Sequence, residues 1–139
     1  MTVKELSQLY WLNREIELDQ KRLAELEIKA SSVSSPNLSG MPGGSNHFSS
    51  KIERYVADVV DLQMIIQAKQ QQCLHERNRL ERYIADIPDS LLRQIFTLRF
   101  INGLSWAQVA SHIGGNNTEA GVKMMCYRYL DKVSEQEEL

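Results

Sequence analysis

Leu104-Ser105-Trp106-Ala107-Gln108-Val109-Ala110-Ser111-His112-Ile113-Gly114, continued by Gly115-Asn116-Asn117-Thr118, is the stretch whose reading decides the fold. Ser105 stands where a helix N-cap belongs, and Gln108 follows at the spacing of a capping box. Trp106, Val109, Ala110 and Ile113 then share one side of a short helix and are its core candidates. Gly114 and Gly115 end it, because glycine accepts the backbone that a sharp reversal requires. Asn117 or Thr118 caps a second helix running to about Lys132, with Val122, Met125 or Cys126, Tyr129 and Val133 as its apolar stripe. Ala110 is small enough to let the two helices cross at close range. The pattern predicts helix, tight turn, helix.

Upstream, Pro88 ends or kinks a preceding helix, since proline lacks the backbone donor and disfavours helix at Ile87. Asp89 or Ser90 starts the next helix, which reaches about Ile101 with Leu91, Leu92, Ile95, Phe96 and Leu98 apolar. Asn102-Gly103 stops it in the manner of a glycine C-terminal signal.

The N-terminal two-thirds has a different character. Over residues 3–30, Leu9, Leu12, Ile16, Leu23, Leu26 and Ala30 fall on two seven-residue rows interrupted only by Asp19. Ser31–Asn46 is rich in serine, with two prolines and three glycines, and Met41-Pro42-Gly43-Gly44 at its centre, so a loop is predicted there. A second long helix is predicted over residues 49–86. Ile52, Val59, Ile66, Cys73, Leu80 and Ile87 form its main row, with Val56, Gln63, Gln70, Arg77 and Ile84 as the companion row, and Tyr55, Leu62, Ile65 and Tyr83 broaden the stripe at some levels. The first helix folding back on the second gives each an apolar cover, while pairing between chains stays open. The expected fold is all-α: a long N-terminal helical hairpin or coiled-coil segment followed by a C-terminal helix-turn-helix module. The expected domains are 1–87, with a flexible loop at 31–48, then 88–133, then an acidic tail at 134–139.

The outward face of the last helix determines what such a module can do. An α-helix entering a major groove needs short side chains near its N-terminus for base edges and cations further along for phosphates. Asn116, Asn117, Thr118, Lys123 and Arg128 divide in that way, and Glu119, Ala120, Met124 and Tyr127 share the face. The net charge of the whole chain is −2, so no global basic footprint is present. Residues 88–133 are locally basic, with Arg93, Arg99, Lys123, Arg128 and Lys132 against Asp89, Glu119 and Asp131. The acidic ending Glu135, Glu137 and Glu138 hides this in the total.

Thr97-Leu98-Arg99-Phe100-Ile101-Asn102-Gly103-Leu104-Ser105-Trp106, followed by Val109-Ala110, resembles the fourth region of bacterial sigma factors. It is also similar to sigma-like regulators of phages and prophages, including late-gene activators. Their layout of N-terminal helix, Ser-Pro-Gly loop, long helix and terminal module resembles the whole chain. The resemblance implies sequence-specific binding of double-stranded DNA near promoters and contact with RNA polymerase. A dimer formed through the long helices is the expected oligomer. Two other readings share the same elements: a DNA-packaging protein of the small-terminase kind, and a helical protein–protein interaction module that binds no nucleic acid.

Other chemistry is not expected. His47, His75 and His112 do not cluster, and His75-Glu76 lacks a second histidine one turn on. Cys73 and Cys126 stand far apart without a metal-ligand pattern and read as reduced and buried. The glycines at 43–44 precede no Lys-Ser/Thr pair, so no phosphate loop is predicted. No acid/base pair or nucleophile constellation suggests an enzyme, and neither a cofactor nor a metal is called for. The chain start lacks a signal-peptide pattern, and no apolar run approaches the roughly 20 residues of a membrane span. A cytoplasmic protein without membrane contact is expected.

Overall fold

A computed structural model describes residues 1–33 and 45–138. The chain is all-α: α1 (Val3–Leu6), α2 (Gln8–Val33), α3 (Ser45–Ala85), α4 (Ser90–Phe96), a π-helical segment (Thr97–Ile101), α5 (Trp106–Ile113) and α6 (Glu119–Glu137). No strand occurs among the described residues. The loop expected over Ser31–Asn46 falls largely on residues 34–44, outside the described residues. At its two edges helix continues to Val33 and resumes at Ser45. The acidic ending expected at 134–139 is not a separate tail, because α6 carries its helix through Glu137.

Contacts divide the chain into two compact units, one of Met1–Asn13 with Cys73–Leu139 and one of Arg14–Gln72. This division differs from the boundary at residue 88 drawn from the sequence. The reason is the core itself. Leu6 and Leu9 from the N-terminus, Leu80 and Ile84 from α3 and Ile87 just beyond it belong to the same buried cluster as Ile95, Phe96, Phe100, Trp106, Val109, Val122, Cys126 and Leu130. Pro88 marks a corner within that unit rather than the edge of a domain.

Phe96 is the centre of the first unit. It is fully buried, with Phe100, Tyr129 and Tyr83 ring centroids at 5.4, 5.7 and 6.5 Å. Burying a side chain of this kind contributes about 1.5–3 kcal/mol. The N-terminal turn is pinned by a capping box of its own, Glu5 N donating to Thr2 Oγ1 and Thr2 N to Glu5 Oε2. That box delivers Leu6 to the core.

Among the described residues of the second unit, Ile16, Leu62 and Ile66 are buried, together with Asp19. Asp19 is the exception noted in the apolar rows of α2, and the structure gives it a partner. Lys69 Nζ donates to the Asp19 carboxylate, and lies 3.0 Å from Glu15 Oε1. These bonds hold the Lys69 pKa above its ordinary value, Asp19 having the larger effect and burial opposing it.

The seam of α3 corrects one sequence expectation. The main row of Ile52, Val59, Ile66, Cys73, Leu80 and Ile87 is buried or half-buried throughout. The companion row keeps only its last expected member, since Ile84 is buried while Val56, Gln63, Gln70 and Arg77 are exposed. Tyr55, Leu62, Lys69, Glu76 and Tyr83 take that place, also at seven-residue spacing and all at least half-buried. Lys69 and Glu76 disguise the row because each enters it with a counter-charge, Lys69 with Asp19 and Glu76 with Arg79 at 3.2 Å.

Candidate nucleic-acid interface

The C-terminal helices of the first unit begin at the Pro88 corner. Asp89 caps α4 by accepting from Leu91 N, and Arg93 Nη1 donates to the carbonyls of Ile87 and Pro88 at 2.7 and 3.0 Å. Thr97 Oγ1 returns a hydrogen bond to Arg93 O. After Phe96 the helix widens to the π form, with Asn102 N donating to Thr97 O. Gly103 then adopts a φ of +71° and Leu104 N reaches back to Leu98 O, closing the helix end.

α5 is started by the predicted capping box. Gln108 N donates to Ser105 Oγ, and Ser105 N to Gln108 Oε1. Trp106, Val109 and Ala110 are buried, and Ile113 is half-buried. The reversal at Gly114 uses φ +73° and ψ −160°, a region accessible to glycine almost alone. Gly115 follows at φ +64°. Asn117 Nδ2 donates to Gly114 O at 3.0 Å and braces the turn. Thr118 caps α6 by accepting from Gly121 N.

Gly121 is therefore the third residue of α6 rather than an interior one. A Cβ there would lie 3.0 Å from Thr118 Oγ1, crowding the hydroxyl that caps the helix. Val122, Cys126 and Leu130 form the buried stripe, flanked by half-buried Met125, Tyr129 and Val133. Leu130 was absent from the expected stripe. Burial pushes the Cys126 thiol up to about 12, so it stays protonated near neutrality and is a poor nucleophile or metal ligand. Cys73 is half-buried rather than buried, and donates to Asn13 Oδ1 at 3.6 Å.

The residues expected to read DNA separate into two sets. Asn116, Thr118, Glu119, Ala120, Lys123, Met124 and Arg128 are exposed. Asn117 and Tyr127 are half-buried. Thr118 and Asn117 spend hydrogen-bonding groups on the protein's own backbone, so their first role is to shape the turn. At 3.6 residues per turn, Ala120, Lys123, Met124 and Tyr127 fall within an arc of about 100°, with Arg128 at its edge. Glu119 lies to one side, at the first turn, where a carboxylate complements the helix dipole. Asp131 enters the same arc one turn beyond Tyr127 and bounds the face with a negative charge. Its spacing of four from Tyr127 was visible in the sequence.

Cations and rings alternate beside this face. Lys123 Nζ lies 5.9 Å from the Tyr127 ring centroid, and the Tyr127 and Trp106 rings are 6.2 Å apart. Arg99 Cζ stands 4.7 Å from the Trp106 centroid, within cation–π range. Arg99 also donates to Leu104 O at 2.9 Å. The sequence reading counted Arg93 and Arg99 toward a basic surface, yet both hold backbone carbonyls. Lys123 and Arg128 are the exposed cations on the α6 arc.

Among the described residues no group of three or more His, Cys, Asp or Glu side chains could hold a metal ion, and no helix is long and apolar enough to cross a membrane. Neither a protein-family model, nor a curated protein, nor a solved structure matches the chain.

Proposed function

We propose that the chain is a DNA-binding transcriptional regulator of the phage type, similar to the fourth region of sigma factors, and that α6 enters a major groove of duplex DNA. One observation carries this reading. The α6 arc of Ala120, Lys123, Met124, Tyr127 and Arg128 starts one turn after the double-glycine reversal and faces away from a stripe packed in the core. A recognition helix needs that arrangement, with its N-terminal turn free to approach base edges. Ala120 and Thr118 are short enough for close approach, while Lys123 and Arg128 reach phosphates.

A single module of this size covers about 600–1,000 Å² of DNA-facing protein surface, which gives weak binding alone. The proposal therefore includes a second contact, either RNA polymerase or a second copy of the chain. Exposed Val56, Val60 and Met64 recur at four-residue spacing along α3 and support pairing of two copies.

The test is a mobility-shift titration on promoter duplexes at two salt concentrations. Lys123→Ala with Arg128→Ala should weaken binding on all sequences and lower the salt slope by about 1 per lost phosphate contact. Ala120→Glu should abolish specific binding while leaving the helix folded. Binding unchanged by all three substitutions would remove α6 as the DNA-contacting element.

A further inference from the structure

A hollow of about 440 Å³ opens beside the N-terminal helix, within the unit formed by Met1–Asn13 and Cys73–Leu139. Its rim carries Tyr10 and Trp11. Trp11 is 62% exposed, far more than a tryptophan with a purely structural role requires, and it meets the Tyr10 ring edge-to-face at 5.1 Å. Phe100 lines the hollow from the core side. Gly103 adds no side chain; a Cβ there would stand 3.6 Å from Tyr10 Cδ2.

The charge in this hollow is of one sign. Arg99 is the ionised group that lines it, and no carboxylate does. Its guanidinium is fixed in direction by the Trp106 ring and by the Leu104 carbonyl, and the planar fork has further donors. The remaining polar side chains are neutral: Ser7, Ser105 and Gln108. No aliphatic side chain lines the hollow. A helical peptide presenting leucine or isoleucine would find none of the aliphatic or methionine-lined surface that such grooves use. A flat ring, a neutral edge that exchanges hydrogen bonds and an attached anion would find all three counterparts.

We propose that this hollow takes an unpaired nucleotide of a single-stranded nucleic acid, its base stacked on Trp11 and its phosphate on the Arg99 guanidinium. Exposed rings beside a fixed cation are the means by which proteins hold single strands without reading their sequence, because every base has a π-face. The inference does not depend on α6 entering duplex DNA, since Tyr10 and Trp11 lie on α2.

The test uses the full chain, whose tryptophans are Trp11 and buried Trp106. A single-stranded dT or dA 12-mer should quench the exposed indole saturably. Trp11→Ala should weaken binding of the labelled oligonucleotide roughly tenfold by anisotropy, with the thermal melt unchanged. Trp11→Phe should restore part of that loss, and Arg99→Lys should weaken binding while preserving the cation. Mobility shift on duplex DNA should be unaffected by Trp11→Ala, which separates this site from the α6 face. Three results would overturn the proposal: single-strand affinity unchanged in Trp11→Ala, single-strand binding lost only in Lys123→Ala with Arg128→Ala, or quenching by a Glu/Leu peptide but not by the oligonucleotide.

Discussion

The two units of this chain solve burial in opposite ways. The unit built from the N-terminal residues and the second half of the chain is held by a clustered aromatic and aliphatic core around Phe96. The Arg14–Gln72 unit has a thin seam in which the buried apolar residues Ile16, Leu62 and Ile66 share space with an ion pair, Asp19 and Lys69. An apolar cluster tolerates no vacancy but imposes little directional preference. A charged layer in a heptad seam adds little net stability, because desolvation offsets attraction, yet it penalises any register that separates the partners. Packing strength belongs to the first unit and register to the second.

The contrast can be broken most sharply at its aromatic centre. Phe96→Ala removes a fully buried ring and should cost about 3–5 kcal/mol, read as a lower midpoint in urea denaturation. A loss below about 1 kcal/mol would mean that the cluster collapses around the gap and is not the rigid centre described.

The ion pair should respond less, and with a different signature. Lys69→Met leaves the Asp19 carboxylate buried without its cation and should cost about 1–3 kcal/mol, whereas replacing both by leucine should be close to neutral or stabilising. The pH dependence has a definite sign. The folded-state pKa of Lys69 lies above its ordinary value of 10.5. Its contribution is complete below that value and is lost as pH rises through the folded-state pKa. Denaturation midpoints of wild type and Lys69→Met should therefore converge at strongly alkaline pH. Parallel curves up to the end of the alkaline range would exclude the charge as the cause.

The smallest expected effect lies at the start of α6. Thr118→Ala removes the cap and should cost about 1 kcal/mol. Gly121→Ala gains about 1 kcal/mol of helix propensity but crowds the Thr118 hydroxyl, so in the wild-type background the two nearly cancel. Once Thr118 is alanine the crowding is relieved, and Gly121→Ala should stabilise. A double-mutant cycle measures this coupling, and simple additivity would show that the two residues act independently.

How far the fold was legible depended on how local the governing interaction was. The Ser105–Gln108 box and the turns at Gly103 and Gly114 involve residues a few positions apart and were readable from spacing, while the caps of α4 and α6 were narrowed to two neighbours each before the structure selected Asp89 and Thr118. Lys69 was not, because the carboxylate that admits it to the seam lies 50 residues away. The membership of Leu6 and Leu9 in the C-terminal core was hidden for the same reason. At the candidate interface, periodicity located the exposed arc of α6. It could not reveal that Arg93 and Arg99 are drawn to backbone carbonyls, since a cation's partner is a matter of tertiary position.

Arg93 carries a further consequence. Any proline corner leaves carbonyls without their helical donors, and here one planar guanidinium answers both, at Ile87 and Pro88. Swinging α4 away from the end of α3 would first strip two charge-assisted hydrogen bonds from the single nitrogen Nη1 that makes both. The corner thus resists opening at two points at once, because any change in its angle is opposed at Ile87 and at Pro88 together.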